Sequence, residues 1–241
     1  MTIPAPGSPA PAPVDALAGS ASLTAVWRNG VGGMTFRTDD DRYIKYGPRN
    51  AESSMVDEAE RLRWAAPHTL VPEVLEVGGG DTDEWLVTRA LPGTSAVDPR
   101  WLADPATAVR AVGEGLRALH DALPVAGCPF DWSVPTRFAN AARRGIRITT
   151  AQHTPPPDDL LVVCHGDACC PNTLLDEGGR FLAHVDLGAL GVADRWADIA
   201  VASLSTEWNY GPGWEDALIE AYGLAPDRER VAYYRALWNA T

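Results

Sequence analysis

The sequence predicts an α+β protein of two lobes, a small, mainly antiparallel sheet followed by a mainly helical region. Three observations carry this expectation. Short β-prone runs alternate with glycine- and aspartate-rich turns as far as Ala90. Leu91-Pro92-Gly93 then breaks the pattern. Beyond it, apolar residues recur at steps of three and four, the period of helices that bury one stripe. At 241 residues and 46% hydrophobic content the chain can bury a sizeable core, and its length suits one domain or two closely packed lobes.

Residues 1–19 read as a flexible tail. Met1 to Val14 is rich in Pro and Ala and has neither the basic segment nor the apolar segment of a secretory signal. Residues 20–91 read as an N-terminal lobe. In it, strands Leu23 to Trp27 and Met34 to Arg37 flank the turn Asn29-Gly30-Val31-Gly32-Gly33, and Asp39-Asp40-Asp41 leads into the strand Tyr43 to Tyr46, which carries Lys45. A helix follows with Met55, Ala59, Leu62 and Ala66 on one face and Glu58 within it. Val74 to Val77 and Trp85 to Ala90 complete the sheet around Gly78-Gly79-Gly80-Asp81.

Residues 92–241 read as the second lobe. Asp104 is placed to cap a helix with Pro105 at its first position, and Val109, Val112, Leu116 and Leu119 form its buried stripe, with His120 next. Leu160 to Cys164 reads as a short strand ending at His165-Gly166-Asp167. A hairpin through Glu177-Gly178-Gly179 leads to Phe181 through Asp186. From Ala197 to Thr241 the pattern is broken helix.

A formal net charge of −12 and a pI near 4.8 argue against nucleic acid or an anionic membrane as partner, because phosphates select basic surfaces. A cationic ligand is attracted instead. No apolar run approaches the roughly 18 residues of a membrane span. Cys128, Cys164, Cys169 and Cys170 lack zinc-type pairing and read as reduced thiols of a cytoplasmic protein.

Phosphoryl transfer requires a carboxylate to take the acceptor's proton, oxygen ligands for Mg²⁺, and a cation on the nucleotide phosphates. The run His165-Gly166-Asp167-Ala168-Cys169-Cys170-Pro171-Asn172 sets an amide five residues after a carboxylate, the spacing of a kinase catalytic loop, and Asp186-Leu187-Gly188 supplies a second carboxylate. One turn can bring Asp167 and Asn172 together, and the hairpin returns Asp186 beside them.

These runs, with Gly191 through Asp198, Glu58 through Trp64, Leu119-His120 and Cys128-Pro129-Phe130, resemble the aminoglycoside phosphotransferases, particularly the 3′-type enzymes, over roughly residues 24 to 240. The resemblance implies a protein-kinase-like fold with ATP, or alternatively GTP, in the cleft, and a polycationic aminoglycoside as acceptor. It implies Asp167 as catalytic base, Asn172 and Asp186 as Mg²⁺ ligands, Lys45 on the phosphates and Glu58 paired with Lys45. It further implies Gly30, Gly32 and Gly33 as the nucleotide-covering turn and backbone groups of Thr88 and Ala90 at the adenine. The protein is expected to be a monomer or homodimer that confers antibiotic resistance.

Three departures touch the acceptor side. Ala189 stands where the family has arginine. The stretch Phe130 to Leu160 is short, with only Asp131, Asp158 and Asp159 as acids, and Trp238-Asn239-Ala240-Thr241 replaces an acidic ending. Glu207, Glu215, Asp216 and Glu220 are candidate replacements. The alternatives are a kinase of another hydroxylated small molecule and a catalytically silent nucleotide-binding module.

Overall fold

The computed structural model describes residues 4, 9–148 and 154–241. The chain divides into two compact units, Met1–Ala66 with Pro72–Leu91, and Pro67–Val71 with Pro92–Thr241.

The first unit is a five-stranded antiparallel sheet with two helices. Its strands are β1 (Leu23–Arg28), β2 (Met34–Thr38), β3 (Arg42–Pro48), β4 (Val74–Gly79) and β5 (Asp83–Arg89), in the order β1-β2-β3-β5-β4. Period-2 alternation turns Phe36, Ile44 and Val87 to one face, where they form a core. Helix α1 (Ala12–Ala18) closes that core with Val14 and Ala18, which corrects the flexible-tail reading for these residues. Proline is tolerated in its first turn, and the Arg42 guanidinium caps its end by donating to the Leu17 and Ala18 carbonyls at 3.0 Å each. The tail reading of residues 1–3 and 5–8 lies outside the described residues.

Helix α2 (Met55–Ala65) starts at Ser54, whose hydroxyl accepts from Asp57 N at 3.2 Å. It buries Glu58, Ala59, Leu62 and Ala65. Ala65 thus takes the place expected for Ala66, one step along the same stripe.

The second unit is mainly helical, with the helices α3 (Pro99–Leu102), α4 (Pro105–Ala122), α5 (Val134–Arg143), α6 (Trp196–Tyr210), α7 (Glu215–Tyr222) and α8 (Arg228–Ala240). Its two small sheets contain β6 (Thr94–Ser95), β7 (Leu161–Cys164), β8 (Thr173–Leu175), β9 (Phe181–His184) and β10 (Gly191–Asp194). Asp104 caps α4 by accepting from Thr107 N, Pro105 is its first residue, and Val109, Val112, Leu116, Leu119 and His120 are buried. Gly113 lets α4 and α7 touch: a Cβ there would lie 2.5 Å from the Leu218 carbonyl oxygen. The broken helix expected at the C-terminus is α6, α7 and α8, interrupted at Gly211-Pro212-Gly213 and at Gly223.

Strand β7 pairs with β10, while β8 and β9 form a separate sheet with β6. The short stretch from Phe130 to Leu160 contains α5; its residues 149–153 lie outside the described residues. Among the described residues no helix is long and apolar enough to cross a membrane, and none of the four cysteines is in a disulfide.

Candidate active site

Strand β7 delivers the chain to His165-Gly166-Asp167, and the first two residues of that triplet are fixed from outside the loop. Buried Asp198, in the first turn of α6, accepts from His165 N at 2.6 Å and from Gly166 N at 3.0 Å, one carboxylate oxygen each. The His165 ring donates Nε2–H to the Val185 carbonyl at 3.0 Å and accepts from Asp167 N at Nδ1, 3.2 Å away. These two partners define its tautomer. The ring therefore ties the backbone of Asp167 to the segment that carries Asp186. Gly166 has φ +83°, and a Cβ there would stand 2.2 Å from the Ala189 carbonyl oxygen. Only glycine fits.

The rest of the loop turns Asn172 back onto Asp167. Asn172 Nδ2 donates to the Asp167 carbonyl at 2.9 Å and to Oδ2 at 3.1 Å, while the Asn172 carbonyl accepts from Val185 N at 3.0 Å. Cys170 N donates to Ser205 Oγ of α6 at 2.9 Å. The loop is thus pinned along α6 at Asp198 and again at Ser205.

Asp167 Oδ1 is buried and has no hydrogen-bond partner among the described residues. Burial, and then the nearby Asp186 carboxylate, push the Asp167 pKa above its ordinary value. Asp186 itself has φ +64°, a left-handed conformation uncommon outside glycine, asparagine and aspartate. The Asp186 carboxylate and the Asn172 carboxamide offer hard oxygen donors of the kind Mg²⁺ takes. Asn172 Nδ2 faces Asp167, so Oδ1 is the amide atom that could face a cation.

In the other unit, Lys45 Nζ bonds both carboxylate oxygens of buried Glu58, at 2.8 and 2.9 Å. The glycine turn is closed on itself: Asn29 Oδ1 accepts from Gly33 N at 2.6 Å and from Val31 N at 3.2 Å, and Gly32 adopts φ +90°. Two of its amides therefore already have a partner. Gly30 lies in the same turn. Thr88 is buried in β5 between Tyr43 and Val74. Ala90 N donates to the Asp41 carbonyl at 2.9 Å, so its amide already has a partner.

Several of the acids considered for an acceptor are committed elsewhere. Asp131 accepts from Ser133 and Thr136 at the start of α5, and Asp159 from Arg195 and the Trp196 indole. Glu215 pairs with Arg235 at 3.0 Å and Asp216 with Arg228 at 2.6 Å. Burial raises the Cys169 thiol far above its ordinary pKa, with Asp167 adding to the shift, and raises Cys170 to about 11. Neither is a ready thiolate.

His120 is the residue whose part the sequence did not disclose. Its Nε2 lies 3.0 Å from Asp198 Oδ2, and its Nδ1 2.8 Å from the Tyr222 hydroxyl. Burial alone would raise the Asp198 pKa. Hydrogen bonds, first from His120 and then from Gly166, outweigh burial and hold it below the ordinary value. Cys164 lies in the same cluster, but the facing His120 and Asp198 atoms are already spent on hydrogen bonds. The available signal was position: His120 ends the buried stripe of α4.

The chain matches the phosphotransferase enzyme family over residues 16–234, most of its length. It belongs to that family. This phosphotransferase is 38% identical over 226 residues to an aminoglycoside 3'-phosphotransferase of Streptomyces fradiae, an alignment covering 81% of this chain and 84% of the relative. It is 35% identical to a streptomycin 3''-kinase of Streptomyces griseus, with 84% and 86% covered. A solved structure of the aminoglycoside phosphotransferase APH(3'')-Id from Streptomyces rimosus, in complex with ADP and streptomycin, superposes with a TM-score of 0.71 at 26% identity, over 95% of this chain and 96% of that one. The protein therefore has the kinase-like fold expected from its sequence.

Proposed function

We propose that this phosphotransferase transfers the γ-phosphate of ATP to a hydroxyl of an aminoglycoside, most simply the 3′-hydroxyl, and so protects its host from the antibiotic. The observation that carries the reading is Asp167: a carboxylate whose Oδ2 is held by Asn172 while its buried Oδ1 has no partner among the described residues. A base needs an oxygen at a fixed position whose lone pairs are not already spent on hydrogen bonds. A silent nucleotide-binding module does not.

In this reading Asp167 Oδ1 accepts the acceptor's hydroxyl proton as that oxygen attacks the γ-phosphorus and the bond to the ADP oxygen breaks. Asn172 keeps the carboxylate from rotating. Lys45, steadied by Glu58, neutralises phosphate oxygens of the nucleotide. A Mg²⁺ ion held by Asn172 and Asp186 would supply further positive charge at the transferring group. The relatives named for aminoglycoside phosphorylation, and the solved relative with ADP and streptomycin, support both substrates.

Ala189 and the internal pairing of Asp131, Asp159, Glu215 and Asp216 favour a second reading, a kinase of a less cationic hydroxylated molecule. Against it, Glu207 is exposed in the last turn of α6, where its carboxylate and the negative helix end both favour an ammonium group. The two readings separate in one assay. With ATP and Mg²⁺, ADP release rises above background when streptomycin or kanamycin is added. If no aminoglycoside raises it, the acceptor assignment falls.

A further inference from the structure

Tyr222 lies on α7, yet its hydroxyl ends a chain of buried hydrogen bonds that reaches the catalytic loop. The chain runs from the Tyr222 hydroxyl to His120 Nδ1 at 2.8 Å, from His120 Nε2 to Asp198 Oδ2 at 3.0 Å, and from Asp198 to the His165 and Gly166 amides at 2.6 and 3.0 Å. The next residue is the base. We propose that Tyr222 is a positioning residue for phosphoryl transfer, acting through His120 and Asp198 on the loop that carries Asp167.

Asp198 is an acceptor with both oxygens committed to N–H groups, so the His120 nitrogen facing it must carry a hydrogen. A neutral ring with hydrogen on Nε2 has a lone pair at Nδ1, and in a buried site that lone pair needs a donor. The Tyr222 hydroxyl is that donor. Burial raises its pKa to about 12, which keeps the O–H intact at any working pH. Tyr222, His120 and Asp198 are 2%, 6% and 1% exposed, so water has little access to replace it. With both nitrogens bonded, the ring cannot turn over without facing carbon atoms to Asp198 and Tyr222, and the Asp198 carboxylate keeps one orientation.

The placement of Tyr222 is specified independently of its hydroxyl. Its ring meets His120 edge-on, with centroids 5.5 Å apart and planes at 68°, and the Arg117 guanidinium lies 5.8 Å from its centroid. Gly113 admits the close approach of α4 to α7, since a Cβ there would also stand 3.0 Å from Tyr222 N. A phenylalanine at this position keeps those packing contacts and loses only the donor.

The test is a double-mutant cycle of Tyr222→Phe and His120→Gln in the full chain, read by kinetics and by amide exchange of residues 163–172. Tyr222→Phe is expected to lower kcat about 5- to 10-fold, with the KM for ATP within about twofold, and to have little further effect in the His120→Gln background. Exchange of the loop amides should quicken in Tyr222→Phe at temperatures well below its melting point. The exchange readout needs no acceptor; the kinetic one rests on the proposed function. If the wild-type enzyme turns over no aminoglycoside, the functional reading fails and exchange alone decides this inference. Unchanged kcat and exchange with only a lowered melting temperature would reduce Tyr222 to core packing. Additive kcat effects in the double variant would show that it does not act through His120.

Discussion

The proposed catalytic loop from His165 to Asn172 and the turn from Asn29 to Gly33 are both short glycine-bearing connections that leave a strand, yet they are held in opposite ways. The loop is tied to other elements: to α6 through Asp198 and Ser205, and to the segment after β9 through Val185. The turn is closed by its own Asn29, which accepts from Val31 and Gly33. A group that must meet a reacting hydroxyl within a few tenths of an ångström is fixed by partners distant in sequence. A turn that covers a ligand can be shaped locally and remain adjustable.

The largest effect that could break this contrast is expected at Asp198. Asp198→Ala strips the acceptor from two loop amides and from His120, in a site without water access, and should cost about 3–5 kcal/mol in urea unfolding. ADP release should fall more than about 100-fold in protein that is still folded. A cost under about 1 kcal/mol would mean that α6 does not hold the loop.

A smaller effect is expected from pH. His184 is buried, its ring centroid is 5.4 Å from that of His165, and its Nδ1 has no hydrogen-bond partner among the described residues. Burial, with His165 adding to it, pushes its pKa well below the ordinary imidazole value. The folded state thus binds a proton less readily than the unfolded chain. The neutral ring's contribution to stability is complete above the unfolded pKa of about 6.5 and is lost as pH falls below it, toward the depressed folded value. Unfolding midpoints measured from pH 7.5 to 5 should decline. His184→Leu should flatten that decline by up to about 1.4 kcal/mol per pH unit. An unchanged slope would remove His184 as its source.

The smallest effect belongs to the turn. Asn29→Ala should lower global stability by less than about 1 kcal/mol while speeding exchange of the Val31 and Gly33 amides, because only local bonds are lost. If it cost as much as Asp198→Ala, the two regions would not differ in kind.

The strands of the first unit, the cap and stripe of α4 and the spacing from Asp167 to Asn172 could be read from the sequence, because each is written in nearby residues: alternation around turns, Asp104 before Pro105, an amide five residues after a carboxylate. What could not be read is what packing decides. Helix α1 is a seven-residue Pro/Ala segment, too short to persist alone, and exists through Val14 in the core and Arg42 on its last carbonyls. β10 was missed because Gly191 to Asp194 becomes a strand by pairing with β7, some thirty residues earlier in the chain. The His120–Asp198 bond joins α4 to α6 across 78 residues, a separation that local patterning does not encode.

The most direct test of the central claim is Asp167→Asn, which keeps the shape of the side chain and removes its basicity. With ATP, Mg²⁺ and an aminoglycoside that the wild type phosphorylates, the variant should lose at least about 1,000-fold in kcat while its affinity for ADP stays within about threefold. Turnover within about tenfold of the wild type would show that Asp167 is not the base.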